Sequence, residues 1–139
     1  MQLNDLDKIA EEHEAGRWFE LLSPVDGKPT GIKLKVAGPD SERQRKAGFA
    51  YQNALTEANR RGKITAERAD DLYVDHLADF VVDLDASEDG KPVPFSKETV
   101  TRIIRAGRWV RAQLEQFAQE RVGGDVAPQL KIGLSQVAN

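Results

Sequence analysis

The chain has 139 residues and a formal net charge of -3, with charged residues of both signs interleaved at 31% of positions. That size and mixture fit one soluble globular domain and exclude an extended disordered polymer. The absence of cysteine excludes disulfides, thiolate nucleophiles and sulfur-built zinc sites, and suits a reducing compartment. No apolar run approaches the roughly 20 residues that span a bilayer, and the acidic opening MQLNDLDKIAEEHE does not read as a signal peptide. Neither a membrane nor export is expected, and the acidic balance argues against a nucleic-acid partner.

In chain order, Asn4 is positioned to cap a short first helix whose Leu6, Ile9 and Ala10 share a face, and Gly16 ends it. A β-hairpin follows over about 17–37: Phe19 and Leu21 alternate with Glu20, then Ile32, Leu34 and Val36 alternate with Lys33 and Lys35. Between them lies Asp26-Gly27-Lys28-Pro29, in which Asp-Gly reaches positive φ cheaply and proline withholds an amide donor, so the stretch is a turn. Ser41 and Gln44 form a capping box opening a helix over about 41–61, with a thin face of Ala47, Ala50, Tyr51, Ala54, Leu55 and Ala58. Thr65 caps a helix over about 65–85, striped by Ala69, Leu72, Tyr73, Leu77, Phe80, Val81 and Leu84. The DGKP word returns at Asp89–Pro92, again as a bend.

Ser96 caps the last helix, over about 96–121, and Phe95 is placed to staple onto Val100. Its seam of Val100, Ile103, Gly107, Val110, Leu114 and Phe117 steps by three and four. Gly107 either admits a close partner or divides the segment into two helices. Residues 124–139 read as a flexible tail in which Leu130, Ile132 and Leu134 alternate. The fold class is therefore α+β, mainly α: an N-terminal β-hairpin packed on a bundle of about four to five helices, in a single domain over 1–123.

Chemistry is sparse. His13 reads as an interfacial histidine near Trp18, and His76, between Asp75 and Asp79, lacks converging partners that would make it a metal ligand. Asp71, Asp75, Asp79 and Asp83 recur every fourth residue, which stacks like charges along one side of a helix. They are either solvated or paired with Arg102, Arg105, Arg108 and Arg111, or with a basic partner. DLDASEDGKPVP fails as a calcium loop, because glycine stands eighth and Pro94 occupies the glutamate position. No catalytic set, metal site or cofactor is expected. A binding or assembly role is, through Gly107, Val110, Leu114 and Phe117 of the seam and Leu130, Ile132 and Leu134 of the tail. On that reading, Val110→Asp weakens partner binding more than folding.

The order RWFELLSPVDGKPTGIKLKVAGPDS, a helix-rich middle and EDGKPVPFSKETVTRII resembles the tail assembly chaperones of long-tailed bacteriophages and prophages, from about Trp18 to Phe117. The matching positions are Gly38, Asp40 and Ser41 at a helix start, and Asp89, Gly90, Lys91, Pro94 and Phe95 in the second loop; Val81 and Val82 stand where members often carry tryptophan. The resemblance implies a non-enzymatic helper in the host cytoplasm. Such a helper binds the tape measure protein, keeps its hydrophobic helices soluble and helps recruit tail tube protein. The alternatives are a virion structural component, such as a tail completion or head–tail connector protein, and then a small helical nucleic-acid-binding regulator.

Overall fold

The computed structural model describes residues 1–121. Its elements are α1 (Leu3–Ala15), β1 (Arg17–Leu22), β2 (Pro29–Val36), α2 (Glu42–Arg60), α3 (Ala66–Ala78), β3 (Val81–Asp85), β4 (Ser87–Glu88), β5 (Lys91–Pro92), α4 (Lys97–Ile104) and α5 (Arg108–Gln119). The fold is α+β and mainly α, as the sequence patterns predict.

Local chemistry sets most boundaries. Ser41, Thr65 and Ser96 each accept a hydrogen bond from the backbone N–H three residues on, which satisfies a donor that the first helical turn leaves open. The first DGKP closes a six-residue loop in which Asp26 Oδ1 accepts from Lys28 N–H at 3.0 Å and Ser23 N–H donates to Lys28 O at 2.8 Å. In the second, Asp89 and Gly90 have φ of 53° and 77°, the two successive left-handed residues that a tight hairpin turn requires, so the bend joins β4 to β5.

Strands β1, β2 and β3 form an antiparallel sheet in that order. Leu34 lies opposite both Phe19 and Leu84, and Val36 opposite Val81, so these side chains share the inner face. That face packs against Val74 and Leu77 of α3, Val100 and Ile104 of α4, and Leu114 and Ala118 of α5, all buried. The register places Trp18, Lys35 and Asp83 in one row of the outer face and Glu20, Lys33 and Asp85 in the next.

Three expectations are corrected. Asn4 lies inside α1 rather than at its cap, which is Gln2, whose N–H donates to Asp5 Oδ2 at 2.7 Å. The helix expected over 65–85 ends at Ala78, and its last apolar residues form β3. Lys35 pairs with Asp83 but Val36 pairs with Val81, so Val82 is an extra residue bulged out of β3. The bulge puts Val81 and Leu84 on one face at a spacing of three, which imitates a helical step. The early end of α3 also moves Asp83 from the expected acidic helix stripe to the sheet.

The helix expected over 96–121 is divided, with Gly107 in extended conformation between α4 and α5. A straight helix of that length would reach about 39 Å, whereas the longest strand extends only about 26 Å. The break lets both halves lie over one small sheet. The Trp109 indole folds back on Gly107, where an added Cβ would stand 2.7 Å from the ring.

Side chains occupy backbone groups along both outer strands. Gln113 of α5 accepts from Leu22 N–H and donates to Leu22 O, both at 2.9 Å, much as a neighbouring strand would. Across the sheet, Arg43 Nε donates to Asp79 O at 2.7 Å and Nη2 to Val81 O at 3.4 Å, while Asp83 Oδ1 accepts from Leu84 N–H at 2.8 Å. These contacts blunt edges that would otherwise invite strand addition.

His13 is 1% exposed and anchors α1 to the turn after β2. Its carbonyl accepts from Gly38 N–H at 2.8 Å and its Nδ1 from Asp40 N–H at 3.0 Å. Gly38 is required by space: a Cβ there would lie 2.4 Å from His13 Nδ1. Gly38→Ala is therefore expected to destabilise the protein by about 1–3 kcal/mol through overpacking. Gly48→Ala, inside α2 with nothing within 4 Å of the added methyl, is expected to stabilise it, by about 0.5–1 kcal/mol. Urea unfolding midpoints of the two variants should move in opposite directions.

Candidate partner-binding surface

The structure buries the centre of the expected seam within the chain itself. Val110 and Leu114 are 1% and 0% exposed, and they face the chain's own core. Phe117 stacks on Phe19 with ring centroids 4.6 Å apart, and the Arg17 guanidinium lies 4.7 Å from the Phe117 centroid. Gly107 is half-buried beneath Trp109. The three-and-four spacing holds within α4 and within α5 but not across the break at Gly107, and the surface it matches is the sheet. Leu130, Ile132 and Leu134 lie outside the described residues.

The apolar side chains left in solvent are elsewhere. Along α1 the fractional exposure is 1% at His13, 38% at Ile9, 52% at Leu6 and 83% at Leu3. These residues are three, three and four apart, so one continuous face begins at the buried His13, packed on Gly38, and emerges toward the start of α1. Trp18 and Leu22 stand exposed on the outer face of β1, Phe49 on α2 and Phe95 before α4. The shared face of Leu6, Ile9 and Ala10 is legible in the sequence, whereas its lack of a cover is not. A shallow groove of about 230 Å³ is lined by Leu21, Ile32, Val93, Ile103, Trp109 and Val110 and edged by the Arg102–Glu88 pair at 2.9 Å.

The acids of α3 are mostly paired across to the following helices. Asp71 meets Arg105 at 2.7 Å and Asp70 meets Arg111 at 2.9 Å. Asp75 and Asp79 share the Lys97 ammonium at 2.8 and 2.9 Å. The hydrogen bond from Arg111 holds the Asp70 carboxyl below its usual range, as the one from Arg102 does for Glu88. Partial burial works against the charge on Lys97, but its hydrogen bonds to Asp75 and Asp79 outweigh that and raise its pKa.

His76 belongs to an aromatic cluster. Its ring stacks on Tyr51 at 4.8 Å, meets Phe80 edge-on at 4.7 Å, and places Nδ1 3.2 Å from Ala47 O. Beside it the Tyr73 hydroxyl donates to the Glu115 carboxylate, and burial together with that hydrogen bond and charge pushes the phenol up to about 12. Among the described residues no group of three or more His, Cys, Asp or Glu could hold a metal ion. Nor is any described helix long and apolar enough to cross a membrane.

No family model, curated protein or solved structure matches the chain.

Placing Val110 in the core reverses the outcome expected for Val110→Asp. A charge there is expected to cost about 3 kcal/mol or more, seen as a large fall in the urea midpoint before any partner is added. The Tyr73 phenol supplies a second test. In a Tyr51→Phe variant, the tyrosinate absorbance of the folded protein should rise with a midpoint near 12, against 10.0 for an ordinary phenol. Because the raised pKa favours the neutral phenol in the fold, its contribution to stability is complete below pH 10 and is lost as pH rises through 12. A midpoint at the ordinary value would show that Glu115 and burial do not act on this hydroxyl.

Proposed function

We propose that the protein is a non-enzymatic tail assembly chaperone of a bacteriophage or prophage. In this reading it acts in the host cytoplasm, binds the tape measure protein and helps recruit tail tube protein. The observation that carries it is the apolar face of α1, which starts beside the buried His13 and stands open from Ile9 to Leu3. An uncovered amphipathic helix on a small folded body suits a protein that lends its apolar surface to the helices of a client. The resemblance over about Trp18 to Phe117 supports the same role, and it supplies the client's identity. The side chains of Gln113, Arg43 and Asp83, which occupy backbone groups of Leu22, Val81 and Leu84 on the outer strands, favour capture of helices over addition of a strand.

Co-expression with a tape measure protein is expected to keep that protein soluble and to yield a complex on pull-down. If the tape measure protein stays insoluble and the chain is instead found in purified particles, the role is that of a virion component.

A further inference from the structure

The residues bordering the α1 seam state what chemistry would cover it. At about 100° per residue, Asp5 and Glu12 fall along one border of Leu6, Ile9 and His13, and Asp7 and Glu14 along the other. With Glu11, the helix carries five acids against the single Lys8. We propose that the outward face of α1, centred on Leu6 and Ile9, is the docking site for a basic amphipathic helix of a partner protein; this deepens the reading of the chain as a chaperone of helical clients. Aliphatic side chains of the incoming helix continue the packing that His13 begins, and its flanking lysines or arginines meet acids on both borders, as charged flanks do in paired helices.

Charge separates this occupant from the others the seam could take. A second copy laid seam to seam would bring acidic borders against acidic borders, which disfavours pairing. Residues 122–139 carry only Asp125 and Lys131 as charges, so they offer no basic borders. The base of α1 is fixed by the His13 and Glu14 contacts, the latter accepting from Glu42 N–H at 2.8 Å, so the seam has a set direction.

The probes are two labelled helical peptides of leucine heptads, one flanked by lysine and one by glutamate, titrated with the full chain by fluorescence anisotropy. The lysine peptide is expected to bind at least about tenfold more tightly. The double variant Leu6→Glu/Ile9→Glu should lose about tenfold in affinity for it, with an unchanged circular dichroism spectrum. General charge attraction predicts the opposite sign, because that variant is more acidic. Asp7→Lys/Glu12→Lys, one change on each border, should move the preference toward the glutamate peptide.

Absence of binding, equal affinity for the two peptides, or undiminished binding by Leu6→Glu/Ile9→Glu overturns the proposal. A rise of about tenfold on truncation after Gly124 overturns it in favour of the chain's own tail. A wild-type dimer in sedimentation that Leu6→Glu/Ile9→Glu dissolves overturns it in favour of a second copy. Co-expression separates it from the functional reading. If Leu6→Glu/Ile9→Glu still keeps the tape measure protein soluble, the seam is refuted and the chaperone role stands. If the wild type binds the lysine peptide through the seam yet fails to keep that protein soluble, the seam stands and the role falls.

Discussion

Leu34 lies in the central strand with Phe19 beside it on one neighbour and Leu84 on the other, and keeping that row dry is the requirement that shapes the rest. A three-stranded sheet cannot close on itself, so its inner face needs a cover, and each apolar side chain removed from water there contributes about 1.5–3 kcal/mol. Helices α3, α4 and α5 provide that cover, with Val74, Leu77, Val100, Ile104 and Leu114 buried against the sheet. The seam of the last two helices is consumed in this way. What the fold leaves unused is at the other end of the chain, on α1.

Polar groups arrange what the core holds. The pairs from α3 to Lys97, Arg105 and Arg111 join groups at the surface, where water and salt weaken them, and they link α4 and α5 to α3. Gln44 acts more centrally, donating from its side-chain amide to Ala37 O at 2.8 Å and Ala118 O at 3.0 Å, which ties the end of β2 to the end of α5. Gln113 and Arg43 occupy backbone groups at opposite margins of the sheet. A surface built this way offers little to an extended peptide and more to a helix.

α1 combines a rigid base with an open face. Its last turn is held through backbone and ring atoms of His13 packed on Gly38, while its first turns carry no buried residue. In the proposed role, a face that starts at the buried His13 and continues into solvent would give a client a surface already in helical form, which lowers the ordering cost of docking. On the same proposal, the acidic borders would bias which helices dock.

The caps at Ser41, Thr65 and Ser96, both DGKP bends, the 17–37 hairpin and the α+β class were legible because each rests on neighbours in sequence: a serine or threonine accepting from an amide three residues on, or Asp-Gly taking positive φ; the cap of α1, at Gln2 and not Asn4, was not. Strand β3 was hidden because the Val82 bulge gives Val81 and Leu84 a helical spacing, and the break at Gly107 because the length of the sheet beneath it is not written locally. The burial of Val110 and Leu114 was hidden for a related reason. Periodicity reports which side chains share a face, and that much the sequence determined for α1, α3 and the final segment alike. Which of those faces would be covered depended on where Leu34 and its row came to lie, since apolar burial is non-directional and takes whichever stripe the chain's connections bring over the sheet.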